Sequence, residues 1–132
     1  MHDTAEPSEL RREECLRLLA GTVVGRIVFT EAALPAAHPV AYLLDGEEVV
    51  FCTAGGGKLA AATLNRVVAF EVDEIDVPSR TGWSVLGVGQ AYEVTEPVRL
   101  GALADRLPTP WVPGCGGHTV AVPLQRLTGR RL

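Results

Sequence analysis

Chemistry is most readable where this 132-residue chain runs Thr53-Ala54-Gly55-Gly56-Gly57-Lys58-Leu59, directly after the apolar Val49-Val50-Phe51-Cys52. Successive glycines let backbone N–H groups converge on an anion with no Cβ in the way. Thr53 adds a hydroxyl at a strand end, and Lys58 adds a mobile point charge. A helix opening at Lys58 or Leu59 would contribute free N–H groups of its own. Lys and Arg total 12, and Lys58 is the only lysine among them. This pattern suits capture of a phosphate-like anion. The plain alternative is a surface turn with a solvated charge, and a glycine cluster alone does not choose between the two. The run is not a Walker loop, because no Gly-Lys-Ser/Thr closes it. Nor is it a dinucleotide fingerprint, because the preceding strand closes a hairpin and opens no parallel βαβ unit.

Other reactive residue types are dispersed. His2, His38 and His118 form no metal-ligand spacing, and no metal is expected. Cys15, Cys52 and Cys115 include no Cys-x-x-Cys, which fits reduced thiols. Glu71 and Asp73 alternate along a strand, as the wet face of a sheet or as partners for arginines. Trp83 on a strand reads first as core. Arg130 and Arg131, after Gly129, read first as solvated charges near a C-terminus. No nucleophile–base pair is legible.

The elements that must position these groups are mostly strands. An apolar share of 47% in one chain of this length predicts a single domain, 1–132, with a real core. A net charge of −4 and a pI of about 5.3 argue against nucleic acid or an anionic membrane as partner. With no spanning apolar run and no signal pattern at the N-terminus, the expected location is the cytoplasm. Met1 to Pro7 reads as a loose end, followed by a helix capped by Ser8 and stopped by Gly21. Val23 to Thr30 is a strand with Val24, Arg26, Val28 and Thr30 on one face. Ala36 to Leu44 and Glu48 to Thr53 form a hairpin about Asp45-Gly46. Pro39 cannot donate to a ladder, so that strand needs a free edge or a bulge. Val67 to Ile75 alternates cleanly, and Gly82 to Thr95 is long, with Gly87 and Gly89 marking a bend. Pro97 opens a helix, Pro108 to Gly117 is a loop, and one or two strands close the chain. The expectation is a mainly β (α+β) fold, an antiparallel barrel of six or seven strands with short appended helices.

In this order the features resemble a known family. Glu13-Glu14-Cys15, Val24-Gly25-Arg26, His38-Pro39-Val40, Thr53 with Gly57-Lys58-Leu59, Phe70-Glu71-Val72-Asp73, Gly82-Trp83-Ser84-Val85 and Thr128-Gly129-Arg130-Arg131 together look like a split β-barrel flavoprotein of the pyridoxamine 5′-phosphate oxidase type. The nearest look is to small actinobacterial members related to nitroimidazole-resistance reductases. The resemblance implies a homodimer with FMN in each of two interface grooves. It implies that His38, Pro39, Val40 and Tyr42 line the isoalloxazine, that Thr53, Gly57, Lys58 and Leu59 hold the ribityl phosphate, and that Trp83, Ser84 and Val85 edge the site. Arg130 and Arg131 would reach a partner's site or a substrate. The Ser-Arg-Lys run and basic substrate pocket of true pyridoxamine phosphate oxidases have no counterpart, so the resemblance does not extend to oxidation of the B6 vitamers. It leaves FAD or a deazaflavin as alternatives to FMN. It implies an oxidoreductase for a small planar or apolar substrate, or else a non-catalytic flavin-sequestering protein.

Overall fold

A computed structural model of the chain describes residues 8–53, 57–108 and 117–132. In order the elements are β1 (Ser8–Glu9), α1 (Arg12–Ala20), β2 (Val24–Glu31), β3 (Leu34–Ala41), β4 (Leu43–Asp45), β5 (Glu48–Cys52), α2 (Lys58–Thr63), β6 (Val67–Asp76), β7 (Thr81–Gln90), β8 (Tyr92–Glu93), α3 (Pro97–Ala104), β9 (Thr119–Pro123) and β10 (Arg126–Arg131). All pairings are antiparallel. One sheet has the order β1-β10-β7-β6-β2-β3 and the other β4-β5-β9-β8, which together make the expected split barrel. Seven strands have five or more residues, in line with six or seven; β1, β4 and β8 are too short for alternation to reveal.

The period of two decides what lies inside. Gly25, Ile27 and Phe29 of β2, Val68, Phe70 and Val72 of β6, and Trp83 and Val85 of β7 all face the barrel interior. They pack with Tyr42, Val49, Phe51, Val120 and Val122 in one core, which α1 closes with Cys15 and Leu19. A second, smaller core (Val50, Val94, Leu103 and Ala121) sits on the other face of the four-stranded sheet. The sheets touch where β7 meets the end of β9. A Cβ on Gly89 would stand 1.8 Å from the Pro123 carbonyl oxygen, and one on Gly87 would stand 2.4 Å from Leu124. The two glycines expected at a bend are thus the points of closest approach between sheets.

Several local expectations shift. Ser8 does not cap a helix: it pairs with Arg131 in β1, and α1 begins at Arg12. The exposed edge of β10 takes the Ser8–Glu9 backbone as a strand before the helix can start. The β4–β5 turn has Gly46 and Glu47 at its corners, one residue later than expected, with Gly46 at φ 63°. Positive φ at the first corner only is the type II′ form. Tyr42 interrupts the expected single strand, and Ala91 interrupts the long one. Pro39 lies on the sheet's edge strand, and the β2–β3 register runs from Val24↔Ala41 to Glu31↔Leu34 without a slip, so no bulge is needed. α3 is capped by the Glu96 carboxylate, which accepts from the N–H groups of Val98 (3.1 Å) and Arg99 (2.8 Å), with Pro97 at its first position.

The β2–β3 turn stores strain. Ala32 and Ala33 hold φ of 51° and 64°, the left-handed backbone of a type I′ connection made without glycine or asparagine. Each such alanine costs about 1–2 kcal/mol. The double variant Ala32→Asn/Ala33→Gly is expected to raise stability by about 1 kcal/mol after allowing for glycine's freedom in the unfolded chain. A higher urea midpoint with an unchanged slope is the reading to look for.

Candidate functional site

Just past the end of β5, Thr53 ties that strand to the start of β9. Thr53 is buried, donates its N–H to the His118 carbonyl (2.9 Å) and accepts the His118 N–H on Oγ1 (3.1 Å). Its hydroxyl is therefore engaged as a clamp between β5 and the start of β9. Ala54, Gly55 and Gly56 lie outside the described residues. Gly57 is left-handed (φ 71°) and stands at the N-cap of α2, a helix of only six residues. Lys58 follows, exposed, and among the described residues it has no hydrogen bond or ion pair. Leu59 turns back onto the main core. Gly57, Lys58 and Leu59 thus open α2, and Lys58 lines a groove of about 430 Å³ between α2 and the β2–β3 turn, the Lys58 mouth.

Along β3 the predicted residues divide. His38 is exposed and edge-on to Phe29 at 5.1 Å. Pro39 lies on the outer face opposite Arg26, and Val40 is half-buried against the core. Tyr42 goes inside: its hydroxyl donates to the Leu19 carbonyl at 2.6 Å, and its ring meets Phe70 edge-on at 4.8 Å. Burial pushes its hydroxyl up to about 12. The β7 residues divide the same way. Trp83 and Val85 are core, whereas Ser84 lies on the outer face between Asp73 and Arg130. Ser84, Arg130, Glu71, Leu86, Thr128 and Glu9 line a second groove, of about 740 Å³. Arg131 points the other way and sits 3.7 Å from Glu14 of α1.

The outer face of the large sheet carries a charge cluster. Arg26 reaches Glu71 at 3.3 Å and Asp73 at 3.8 Å. These carboxylates, read as a wet face or as partners for arginines, have an arginine of their own chain. Burial, reinforced by the neighbouring Asp73, pushes the Glu71 carboxyl up to about 7 despite Arg26.

Two polar groups had no sequence signal, because their members come from distant elements. His118 Nδ1 is 2.8 Å from Glu93 Oε2, beside the Thr53 clamp. Arg99 of α3 donates to Asp45 (3.1 Å) and Glu48 (2.8 Å) and to the Tyr92 hydroxyl, fixing α3 to the β4–β5 hairpin. Arg66 also lines the Lys58 groove. The one available signal was Asn65, whose left-handed turn (φ 62°) brings the chain back past the end of α2.

Within one chain the predicted residues form two sets. The Lys58 mouth and the β3 edge lie at one side of the large sheet, and Ser84 with Arg130 toward the other. Four strand spacings separate β3 from β10, about 19 Å at about 4.8 Å each.

A family model described as pyridoxamine 5′-phosphate oxidase matches residues 11–131. The uncharacterized protein Rv0080 of Mycobacterium tuberculosis is 41% identical over 132 residues, covering 96% of this chain and 86% of that protein. The FAD binding protein from Mycobacterium smegmatis superposes with a TM-score of 0.81 at 33% identity, covering 95% of this chain and 98% of that one. A conserved protein of unknown function from Corynebacterium diphtheriae superposes with a TM-score of 0.77 at 30% identity, over 95% and 98% of the two chains. No helix among the described residues is long and apolar enough to cross a membrane.

The raised Glu71 carboxyl has a consequence for stability. Its value in the folded chain (about 7) exceeds the ordinary 4.5, so the folded state holds an extra proton between those limits. Stability is expected to fall as pH rises from about 4.5 to about 7 and to stay reduced above that, since the unfolded state binds fewer protons in the window. The effect should stay under about 1 kcal/mol, because the side chain still touches solvent. Glu71→Gln should flatten the fall. Urea midpoints taken on both sides of this window, at one protein concentration, provide the check. A parental loss no larger than the variant's would refute the assignment.

Proposed function

This chain belongs to the pyridoxamine 5′-phosphate oxidase family, and we propose that it is a flavin-binding oxidoreductase that works as a homodimer. The observation that carries the reading is the division of the candidate residues between two sides of one sheet. A compact ligand held at the Lys58 mouth cannot also touch Ser84 and Arg130 of the same chain. A second copy packed on the outer face would bring its Arg130 to the first copy's mouth. That face suits such a partner: Val67 and Leu86 are exposed there, and Val28, Ala69 and Val88 are half-buried. Stable interfaces of this kind bury about 2,000 Å² or more in total.

The residues present fit a flavin phosphate. Lys58 is an unpaired cation among the described residues, placed one residue after the left-handed Gly57. β3 is an edge strand with no neighbour on its far side among the described residues, so backbone groups around His38, Pro39 and Val40 are available to a ring with amide-like edges. When bound, the flavin supplies the uptake and release of electrons. The chain's own residues bind and orient. Lys58 holds the phosphate, the β3 edge fixes the ring, and Arg130 of a second copy steers a small planar or apolar substrate. FMN is the cofactor first expected, with FAD or a deazaflavin as alternatives. The FAD-binding M. smegmatis protein, at 33% identity, supports a flavin.

Three measurements test this reading. Mass and absorbance of whatever copurifies should identify a flavin. Light scattering at micromolar concentration should give a dimer, and a monomer there would count against the shared site. Lys58→Ala should weaken FMN roughly ten- to a hundredfold, the worth of one charge-assisted contact, while leaving riboflavin binding unchanged. Equal losses for both ligands would remove the phosphate role.

A further inference from the structure

Resting on the flavin reading, we propose that the groove between α2 and the β2–β3 turn takes the second phosphate and the ribose of a flavin dinucleotide, held by Arg66 and Glu31 beyond the first phosphate at Lys58. Its volume, about 430 Å³, falls within the range of about 300–1,000 Å³ usual for small-molecule sites. Most of the chain's arginines are occupied by carboxylates: Arg11, Arg12, Arg17, Arg26, Arg99, Arg106 and Arg131 all have an acidic partner within 4.0 Å. Lys58 and Arg66 have no such partner among the described residues, and both line this groove.

Their separation argues for more than one phosphate. Lys58 is the first residue of α2, and Arg66 lies beyond its last turn. A six-residue helix rises about 9 Å, so the two residues join the groove from the two ends of α2. Glu31 decides which kind of ligand lies between them. It lines the same groove, and its carboxylate has no partner among the described residues. A carboxylate repels a lone phosphate but accepts hydrogen bonds from sugar hydroxyls, as acidic residues do from ribose in dinucleotide sites. Ala32, Ala61 and Ala62 leave the floor open. A pyrophosphate followed by ribose satisfies both cations and the carboxylate, whereas a monophosphate leaves Glu31 opposed.

The test is titration of the full chain, freed of copurifying ligand, with riboflavin, FMN and FAD, followed by quenching of flavin fluorescence. FAD should bind tighter than FMN by about tenfold or more, and Arg66→Ala and Glu31→Ala should each lose about tenfold for FAD while leaving FMN within about twofold. Both residues are exposed, so the variants should keep the parental urea midpoint. Equal losses of FMN and FAD in Arg66→Ala would mean that both cations hold one phosphate, and would overturn the inference. Unchanged affinities in both variants would overturn it too, while leaving the flavin reading in place. If the parent binds none of the three flavins, both readings fall.

Discussion

The close approach of β7 to β9 fixes the rest of the structure. With the Pro123 carbonyl where a Cβ of residue 89 would be, the two sheets meet backbone to backbone. No side chain larger than glycine fits there without moving one sheet off the other. That contact closes the barrel and sets the height at which β9 starts. It thereby fixes where His118 can clamp Thr53. Lys58 follows five residues after Thr53, so its position rests on a packing event more than thirty residues away in sequence. The proposed anion site is local in composition and long-range in geometry.

The same sheet sorts its chemistry by parity. Trp83, Val85 and Arg131 face inward or toward α1, while Ser84, Glu71 and Arg130 face outward. Neighbours in sequence therefore have opposite fates, and a run such as Trp83-Ser84-Val85 cannot act as a single ligand-lining unit from one face. Its core members anchor the strand, and only Ser84 is presented. The outward set is charged at its centre, with Arg26 between Glu71 and Asp73, and apolar around it. A face of that makeup is costly to leave in water and costly to cover without neutralising Glu71. The raised carboxyl is the electrostatic signature of that conflict.

Much of this was legible because strands write themselves into alternation. β2 and β6 emerge from the sequence within a residue or two, β7 does so at its start but ends five residues early, and the edge position of β3 is one of the two arrangements that Pro39, with no N–H to donate, allowed. The short strands were not legible, because two or three residues carry no period. Ser8 misled because an N-cap residue type is equally at home in a strand when a free edge lies beside it. Of the proposed site, the sequence pointed to Gly57 and the lone lysine. Arg66, Glu31 and the His118–Glu93 pair were not legible, since each depends on which turn the barrel brings beside which helix. Sequence spacing encodes local geometry, and these contacts are set by sheet order.

The Thr53 clamp has a further implication for how the mouth discriminates. In the sequence, Thr53 looked like a hydroxyl offered to an anion. In the fold, that hydroxyl accepts from the His118 backbone, and the residue is buried. In the proposed site, anion recognition would therefore fall on charge and backbone: Lys58, the left-handed Gly57 and whatever cations neighbouring elements bring. Charge is long-ranged and tolerant of geometry, whereas a buried hydroxyl is short-ranged and exacting. A site built this way would distinguish ligands by how their charges are spaced more than by the shape of one phosphate. Its selectivity then resides in the elements that set that spacing, the length of α2 and the tip of the β2–β3 hairpin, and not in the glycine run from which the site is read.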